Sequence, residues 1–277
     1  MTAIAGTAAA VTGAAGGIGR ALALELAARG ADLALADRDE AGLATVAAEI
    51  GNKQKVTTHR IDVGEPTDIQ AFARAAIAAH PSLNILINNA GVALMGQFCE
   101  IDQSQMEWLM NINFWGTVHA TRAFLPHLST RPEAHIVNLS SIFGIIAPPG
   151  QTAYCASKFA VRGFSESLRH ELQTAKSPVR LSVVHPGGVA TNIARNARTG
   201  SLMTDNARRV EAIDRFEKVA TKSPGAAAAR IIQGIERKEP RILIGSDARF
   251  MDLLQRFRPT AYWAVMARQI ERMANRK

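Results

Sequence analysis

Cysteine is nearly missing: Cys99 and Cys155 are the only two in 277 residues. Two thiols give neither a disulfide framework nor a metal cluster, which leads us to expect a reducing, cytoplasmic compartment. Long apolar runs are missing as well; no stretch approaches the roughly 18–20 residues that a spanning helix needs. The N-terminus, MTAIAGTAAAVTGAAGGIGR, has no basic segment ahead of its apolar stretch, and glycines interrupt it at once. It reads as a strand and turn rather than a signal peptide. Aromatic residues are only 5%, and no zinc-finger spacing occurs, so nucleic acid is not the expected partner despite a net charge of +8. Acids are outnumbered, 24 against 32 lysines and arginines. The basic excess sits late in the chain, at Arg195, Arg198, Arg208, Arg209, Arg215, Lys218 and Lys222, then Arg249, Arg256, Arg258, Arg268, Arg272, Arg276 and Lys277. A solvated basic surface is the simplest reading of it; an acyl carrier protein, CoA or an anionic membrane surface is the alternative.

What is present is a 47% hydrophobic chain, enough for one large core. Apolar runs alternate with helical patterns. Strands are expected at 6–11, 32–36, 55–61, 83–89, 134–140, 179–185 and 241–245. Helices are expected at 17–30, after Asp39, at 66–79, 102–128 and 152–175, and from Pro224. Strands this apolar, each followed by a helix, imply a parallel sheet covered on both faces, and right-handed crossovers then give a doubly wound α/β fold. We expect one domain over residues 1–277, with a polar, basic insertion at 190–223 as a mobile lid. A tail at 248–277 carries an amphipathic pattern of Phe250, Leu253, Leu254 and Phe257, then Tyr262, Trp263, Met266 and Ile270.

The first strand runs into TGAAGGIG, Thr12 to Gly19. A pyrophosphate needs close backbone approach, which glycines permit, and the free N–H groups of a following helix face the anion. Gly13, Gly17 and Gly19 lie at such a strand-to-helix turn, with Ile18 between the last two; the spacing is G-x-x-x-G-x-G rather than G-x-G-x-x-G. Asp37 ends the second strand, where a carboxylate can accept the ribose hydroxyls and repel a 2′-phosphate. That favours NAD(H). Arg38 follows immediately and could meet such a phosphate, which keeps NADP(H) as the alternative.

Tyr154 and Lys158 are four apart on a helix and therefore share a face. Ser141 lies thirteen positions upstream, and nothing local explains it. With the glycine loop these residues resemble the classical short-chain dehydrogenase/reductase family. The resemblance covers residues 5–192 motif by motif: NNAG at Asn88–Gly91, the pair Asp62-Val63, INFWG with Asn113, NLSS with Ser141, YCASK with Tyr154 and Lys158, and PGGVAT at Pro186–Thr191. It implies a Rossmann-type, mostly parallel seven-stranded sheet and an NAD(P)-dependent oxidoreductase acting on an alcohol or ketone. The implied catalytic residues are Ser141, Tyr154, Lys158 and Asn113. The implied cofactor contacts add Asp62, Val63, Asn89, Ala90, Gly91, Pro186, Gly187, Val189 and Thr191 to the glycine loop, Asp37, Arg38, Tyr154 and Lys158.

In the implied mechanism Tyr154 exchanges a proton with the substrate oxygen. A free tyrosine titrates near 10, and a cation one helical turn away should favour the phenolate. Ser141 would orient the oxygen, and Asn113 would hold a water linking Lys158 to solvent. Ser140 and Asn111 are the neighbours that could be mistaken for Ser141 and Asn113. Cys155 and His185 read as buried structural residues, and Trp108 and Trp115 as packing residues, with Trp115 a candidate for the pocket border. The insertion and tail suggest a bulky, lipophilic substrate, steroid-like or acyl. A 3-oxoacyl thioester reductase and a non-catalytic nicotinamide-sensing module are the competing functions. The resemblance also implies a homodimer or homotetramer built through 102–128 and 152–175.

Overall fold

The computed structural model describes residues 2–274. Seven strands form one sheet: β1 (Ala8–Thr12), β2 (Asp32–Asp37), β3 (Val56–Arg60), β4 (Leu83–Asn88), β6 (Ala134–Leu139), β7 (Val179–Pro186) and β9 (Arg241–Ile244). Their order is β3-β2-β1-β4-β6-β7-β9 and every pairing is parallel. The order reverses between β1 and β4. Loops leaving the two strands there diverge and open a crevice at the carboxyl ends of the strands, where ligands bind in such sheets.

The sheet is buried on both faces because its strands are apolar at alternate and intervening positions alike. Ala9, Val11, Leu33, Leu35, Ile85 and Ile87 pack under helices α1 (Gly17–Ala28), α2 (Glu40–Ile50) and α8 (Pro224–Glu236). Ala8, Ala10, Ala34, Ala36 and Leu86 face α3 (Pro66–Ala79), α5 (Gly116–Leu128) and α6 (Thr152–Thr174). The second face offers four alanines, which leaves room for large partners on the helices. Phe72 and Phe124 fill it, edge to face with ring centroids 5.4 Å apart. Each such side chain contributes roughly 2–3 kcal/mol of burial.

One expected helix is broken, and two segments read only coarsely from the sequence gain defined elements. The helix expected over 102–128 is three pieces: α4 (Gln103–Met110), a π-helical turn at Asn111–Trp115, and α5. The 190–223 insertion is built, with a strand β8 (Arg198–Thr199) and a helix α7 (Asn206–Val219); β8 pairs in parallel with β5 (Leu94–Met95). The tail is two helices, α9 (Ser246–Phe257) and α10 (Tyr262–Ala274). The side chains of Ile270 and Arg272, and residues Arg276 and Lys277, lie outside what the structure describes.

Candidate active site

The glycine loop closes over backbone that leaves no room for side chains. Gly13 and Gly17 have φ of +67° and +54°, the left-handed region. A Cβ on Gly19 would sit 2.0 Å from the Gly13 carbonyl oxygen. α1 begins at Gly17 with Gly16 as its N-cap, no capping side chain and no acid in its first turn. Its first N–H groups therefore face the crevice unclaimed by side chains, as an anion requires. Ile18 packs against the core beneath, so its backbone rather than its side chain is what the loop presents.

The NNAG segment holds this loop in place. Asn89 Nδ2 donates to the carbonyls of Thr12 and Gly13, each at 3.0 Å. Thr12 Oγ1 accepts from the backbone N–H groups of Asn89 and Ala90 at 3.1 and 3.2 Å. Asp37 reaches the same loop: Oδ2 accepts from Ala15 N at 3.0 Å and Oδ1 from Asp39 N at 3.1 Å. Arg38 is exposed beside it. Past the end of β3, exposed Asp62 accepts from Gly64 N at 2.8 Å, while Val63 is buried against Gly116. Beyond β7, Gly187 N donates to Ile244 O and Gly188 N to Asp247 Oδ2. Val189 bridges to Lys222, and Thr191 lies over Gly17, 3.3 Å from where a Cβ there would be. All these residues lie along the carboxyl edge of the sheet, around the β1–β4 crevice.

Ser141, Tyr154, Lys158 and Asn113 are all buried at the same edge. Ser141 follows β6 and caps a short turn, its hydroxyl accepting from Phe143 N at 3.1 Å. Tyr154 and Lys158 occupy the first two turns of α6, with Lys158 Nζ 5.7 Å from the tyrosine ring centroid. Lys158 Nζ donates to Leu139 O at 3.1 Å, which ties the helix to the end of β6. Asn113 sits on the π turn. Its Oδ1 accepts from Val92 N at 2.8 Å, and its Nδ2 donates to Val92 O and Ser157 Oγ, both at 3.0 Å. A Cβ on Gly91 would lie 3.2 Å from Asn113 Oδ1 and 3.3 Å from Lys158 Nζ, so both side chains border the NNAG glycine.

A short chain dehydrogenase family model matches residues 7–201. The chain belongs to the short-chain dehydrogenase/reductase family. It is 41% identical over 268 residues to the oxidoreductase SadH of Mycobacterium tuberculosis, covering 96% of each chain. It is 31% identical to the mouse dehydrogenase/reductase SDR family member 7B, over 84% of this chain and 72% of that one. A short-chain dehydrogenase/reductase of Burkholderia phymatum, solved in complex with NAD, superposes with a TM-score of 0.86 at 30% identity, over 93% and 95% of the two chains. The chain is thus an oxidoreductase of the alcohol/ketone dehydrogenase type.

In this dehydrogenase the neighbours of the cluster have different duties. Ser140 Oγ donates to the Lys158 carbonyl at 2.8 Å, and Asn111 Nδ2 donates to Gly64 O at 2.9 Å, so both are committed to backbone. Trp115 is exposed and stacks on His119. Trp108 carries the Arg198 guanidinium 3.8 Å above its ring. Cys155 is buried, and burial pushes its thiol up to about 12.

Burial also pushes Tyr154 up to about 12, with the Ser141 hydroxyl acting in the opposite direction. It pushes Lys158 down to about 8. The sequence leads one to expect a tyrosine lowered by its lysine; within the protein, desolvation of the phenolate dominates and raises it. Around the tyrosine the wall is apolar: Leu94, Leu109, Ala153, Phe143 and Ile193, with the Phe143 ring edge-on at 6.1 Å.

Several contributors have no role assigned from the sequence, although Thr12, Asn88, Asn138 and Ser157 lie within its motifs. Thr12 and Ser157 brace the loop and the π turn, and Asp247 braces the segment after β7. His185 Nδ1 donates to the Ser141 carbonyl at 2.9 Å. Between β4 and β6, Asn88 Nδ2 donates to Asn138 Oδ1 at 2.8 Å and Asn138 Nδ2 to Ser165 Oγ at 2.9 Å, fixing α6 against the sheet. Only spatial neighbours give these residues their meaning.

Proposed function

We propose that this dehydrogenase transfers a hydride between NAD(H) and a lipophilic secondary alcohol or ketone. The observation that carries the reading is the apolar-walled cluster of Tyr154, Lys158 and Ser141 beside an uncapped glycine loop. The glycine loop fits a dinucleotide pyrophosphate, and Asp37 at the end of β2 suits ribose hydroxyls better than a 2′-phosphate. Ile18, Asn89, Ala90, Gly91, Pro186, Gly187, Val189 and Thr191 would border that cofactor, with Asp62 and Val63 at its adenine end. The bound nicotinamide would supply or accept the hydride.

The chain's own part is to bind, orient and move the proton. At neutral pH the buried tyrosine is protonated and the lysine largely charged. In ketone reduction Tyr154 Oη gives its proton to the substrate oxygen, and Ser141 Oγ donates a second hydrogen bond to that oxygen. Lys158 then stabilises the phenolate left behind. Alcohol oxidation runs the same proton in reverse. Asn113 holds Val92 at the edge of the cluster, and Lys158 is oriented by its bond to Leu139 O. The loop, β8 and α7 over 190–223 form the lid on the substrate side. The exposed Trp115 and Phe159 on the helices at 102–128 and 152–175 support a homodimer or homotetramer. Among the described residues no helix is long and apolar enough to cross a membrane; two free thiols fit a cytoplasmic enzyme.

The test is a screen of secondary alcohols, ketones and 3-oxoacyl thioesters, small to steroid-sized, read by nicotinamide absorbance with NAD(H) and NADP(H) in parallel. Fluorescence titration should give tighter binding of NADH than NADPH. Tyr154→Phe should lose at least about a thousandfold in kcat while binding NADH within about threefold of the parent. Turnover surviving in that variant would overturn the assignment.

A further inference from the structure

The two C-terminal helices carry an apolar surface that the reaction does not use. On α9 the side chains of Phe250, Leu253 and Phe257 are 51%, 54% and 79% exposed. They fall at i, i+3 and i+7, one stripe along the helix. Val265 on α10 is exposed as well. Scattered exposed apolar residues are ordinary; a stripe of two phenylalanines and a leucine on one helix face is not.

The opposite sides of both helices are anchored. Met251, Tyr262 and Met266 pack on Ile142, Ile145 and Ile146, the loop that follows Ser141. The Tyr262 hydroxyl accepts from Ala147 N at 2.9 Å. The exposed stripe is therefore held outward by the fold.

Charge distinguishes among possible occupants. From Ser246 onward the chain has seven lysines and arginines against three acids. Two of those acids are turned inward. Asp247 accepts from Gly188 N, and buried Asp252 pairs with Arg241 and Arg256. Arg249, Arg258 and Arg268 are exposed around the apolar stripe. A second copy of this face would bring like charges together. An apolar stripe flanked by arginines is the pattern of a helix lying in the interface of an anionic bilayer.

We propose that α9 and α10 form a docking surface for anionic lipid, with Phe250, Leu253 and Phe257 entering the acyl boundary and Arg249, Arg258 and Arg268 meeting the headgroups. The surface stands on the loop that carries Ser141, so docking sets the substrate side of the enzyme against the membrane.

The experiment is co-sedimentation of the full-length protein with phosphatidylcholine vesicles, with and without phosphatidylglycerol, at low and high salt. Binding should require phosphatidylglycerol and weaken at high salt. The triple variant Phe250→Ser/Leu253→Ser/Phe257→Ser should lose at least about tenfold in partitioning, and Arg249→Glu/Arg258→Glu should abolish it. These positions are exposed; circular dichroism and unchanged NADH binding check that each variant is folded. The proposal fails if the wild type ignores anionic vesicles or if the triple variant binds as well as the parent. It also fails if the triple substitution changes only the solution mass, which would identify the stripe as a contact between copies.

Discussion

The residue that most repays attention beyond the tyrosine is His185. It is fully buried at the end of β7. A carbonyl only accepts, so Nδ1 must carry the hydrogen that goes to Ser141 O, and Nε2 is left as a buried lone pair with no partner. This bond fixes the backbone from which the Ser141 hydroxyl projects, so the proposed role of Ser141 would make His185 a positioning residue. Asparagine can place an N–H near the Nδ1 position; leucine cannot. We expect His185→Leu to lower kcat by about tenfold or more with little change in NADH affinity, and His185→Asn to recover most of it. Equal losses in both variants, or a loss confined to cofactor binding, would show that the bond is merely structural. At this scale the sequence is readable where chemistry imposes spacing. Tyr154 and Lys158 are placed together by four residues of helix. Ser141 needs a family resemblance, because a separation of thirteen positions across a turn and loop carries no geometric rule. The duty of His185 is invisible in the sequence, since its partner is a carbonyl 44 positions away.

Elements tell a similar story with a different cause. Six of the seven strands are legible as short apolar runs ending in turn residues, and β3, VTTHR, by its β-branched residues. The break in the 102–128 helix is not legible: INFWG has no proline, and nothing in its composition announces a π turn. That turn puts Asn113 at Val92, and such turns often mark functional sites. The first part of the 190–223 insertion is tied to the rest of the fold by pairs far apart in the sequence. β8 pairs with β5, Gln105 Nε2 donates to Thr199 O at 2.8 Å, and Arg208 pairs with Glu100 at 2.5 Å. Beneath lie Met95, Ala194 and Ala197, packed with Ala212, Ile213 and Phe216. Long-range pairs of this kind have no local signature. The Glu100–Arg208 pair joins the turn before α4 to the start of α7, so under the proposed function it would set how α7 covers the substrate. Glu100→Gln should raise KM for the preferred alcohol several-fold, leave the NADH dissociation constant unchanged, and speed proteolytic cleavage within 198–210. If cleavage accelerates elsewhere and KM stays fixed, the pair is surface decoration.

For the whole molecule, the parallel sheet buries its strands on both faces, so polar side chains on them must find partners inside. Two histidines do so only on one ring nitrogen. His135 on β6 bonds Ser182 Oγ at 2.7 Å through Nε2, and its Nδ1 has no partner. His185 has the reverse arrangement. Burial holds each down to about 4 from the ordinary 6.5; nearby Lys238 and Arg180 push His135 the same way, as Arg241 and Arg162 do His185, while Glu133 and Glu166 oppose them. His59 and His80 are also lowered by burial. Above pH 6.5 all four are neutral folded or unfolded, and they cost nothing. Between 6.5 and 4 the unfolded chain binds protons at positions 135 and 185 that the native state refuses, so stability falls as pH falls. At pH 5 the loss is on the order of 2 kcal/mol for each of the two, about 4 together, a large part of a typical 5–15 kcal/mol. Urea unfolding should therefore show a clearly lower midpoint at pH 5 than at pH 7. His135→Gln cannot bind that proton and should shrink the difference by about half, even if it starts from a lower stability at pH 7. Midpoints that coincide at the two pH values would mean that water or protons reach these rings in the native state, and that the sheet is less closed along β6 and β7 than its packing implies.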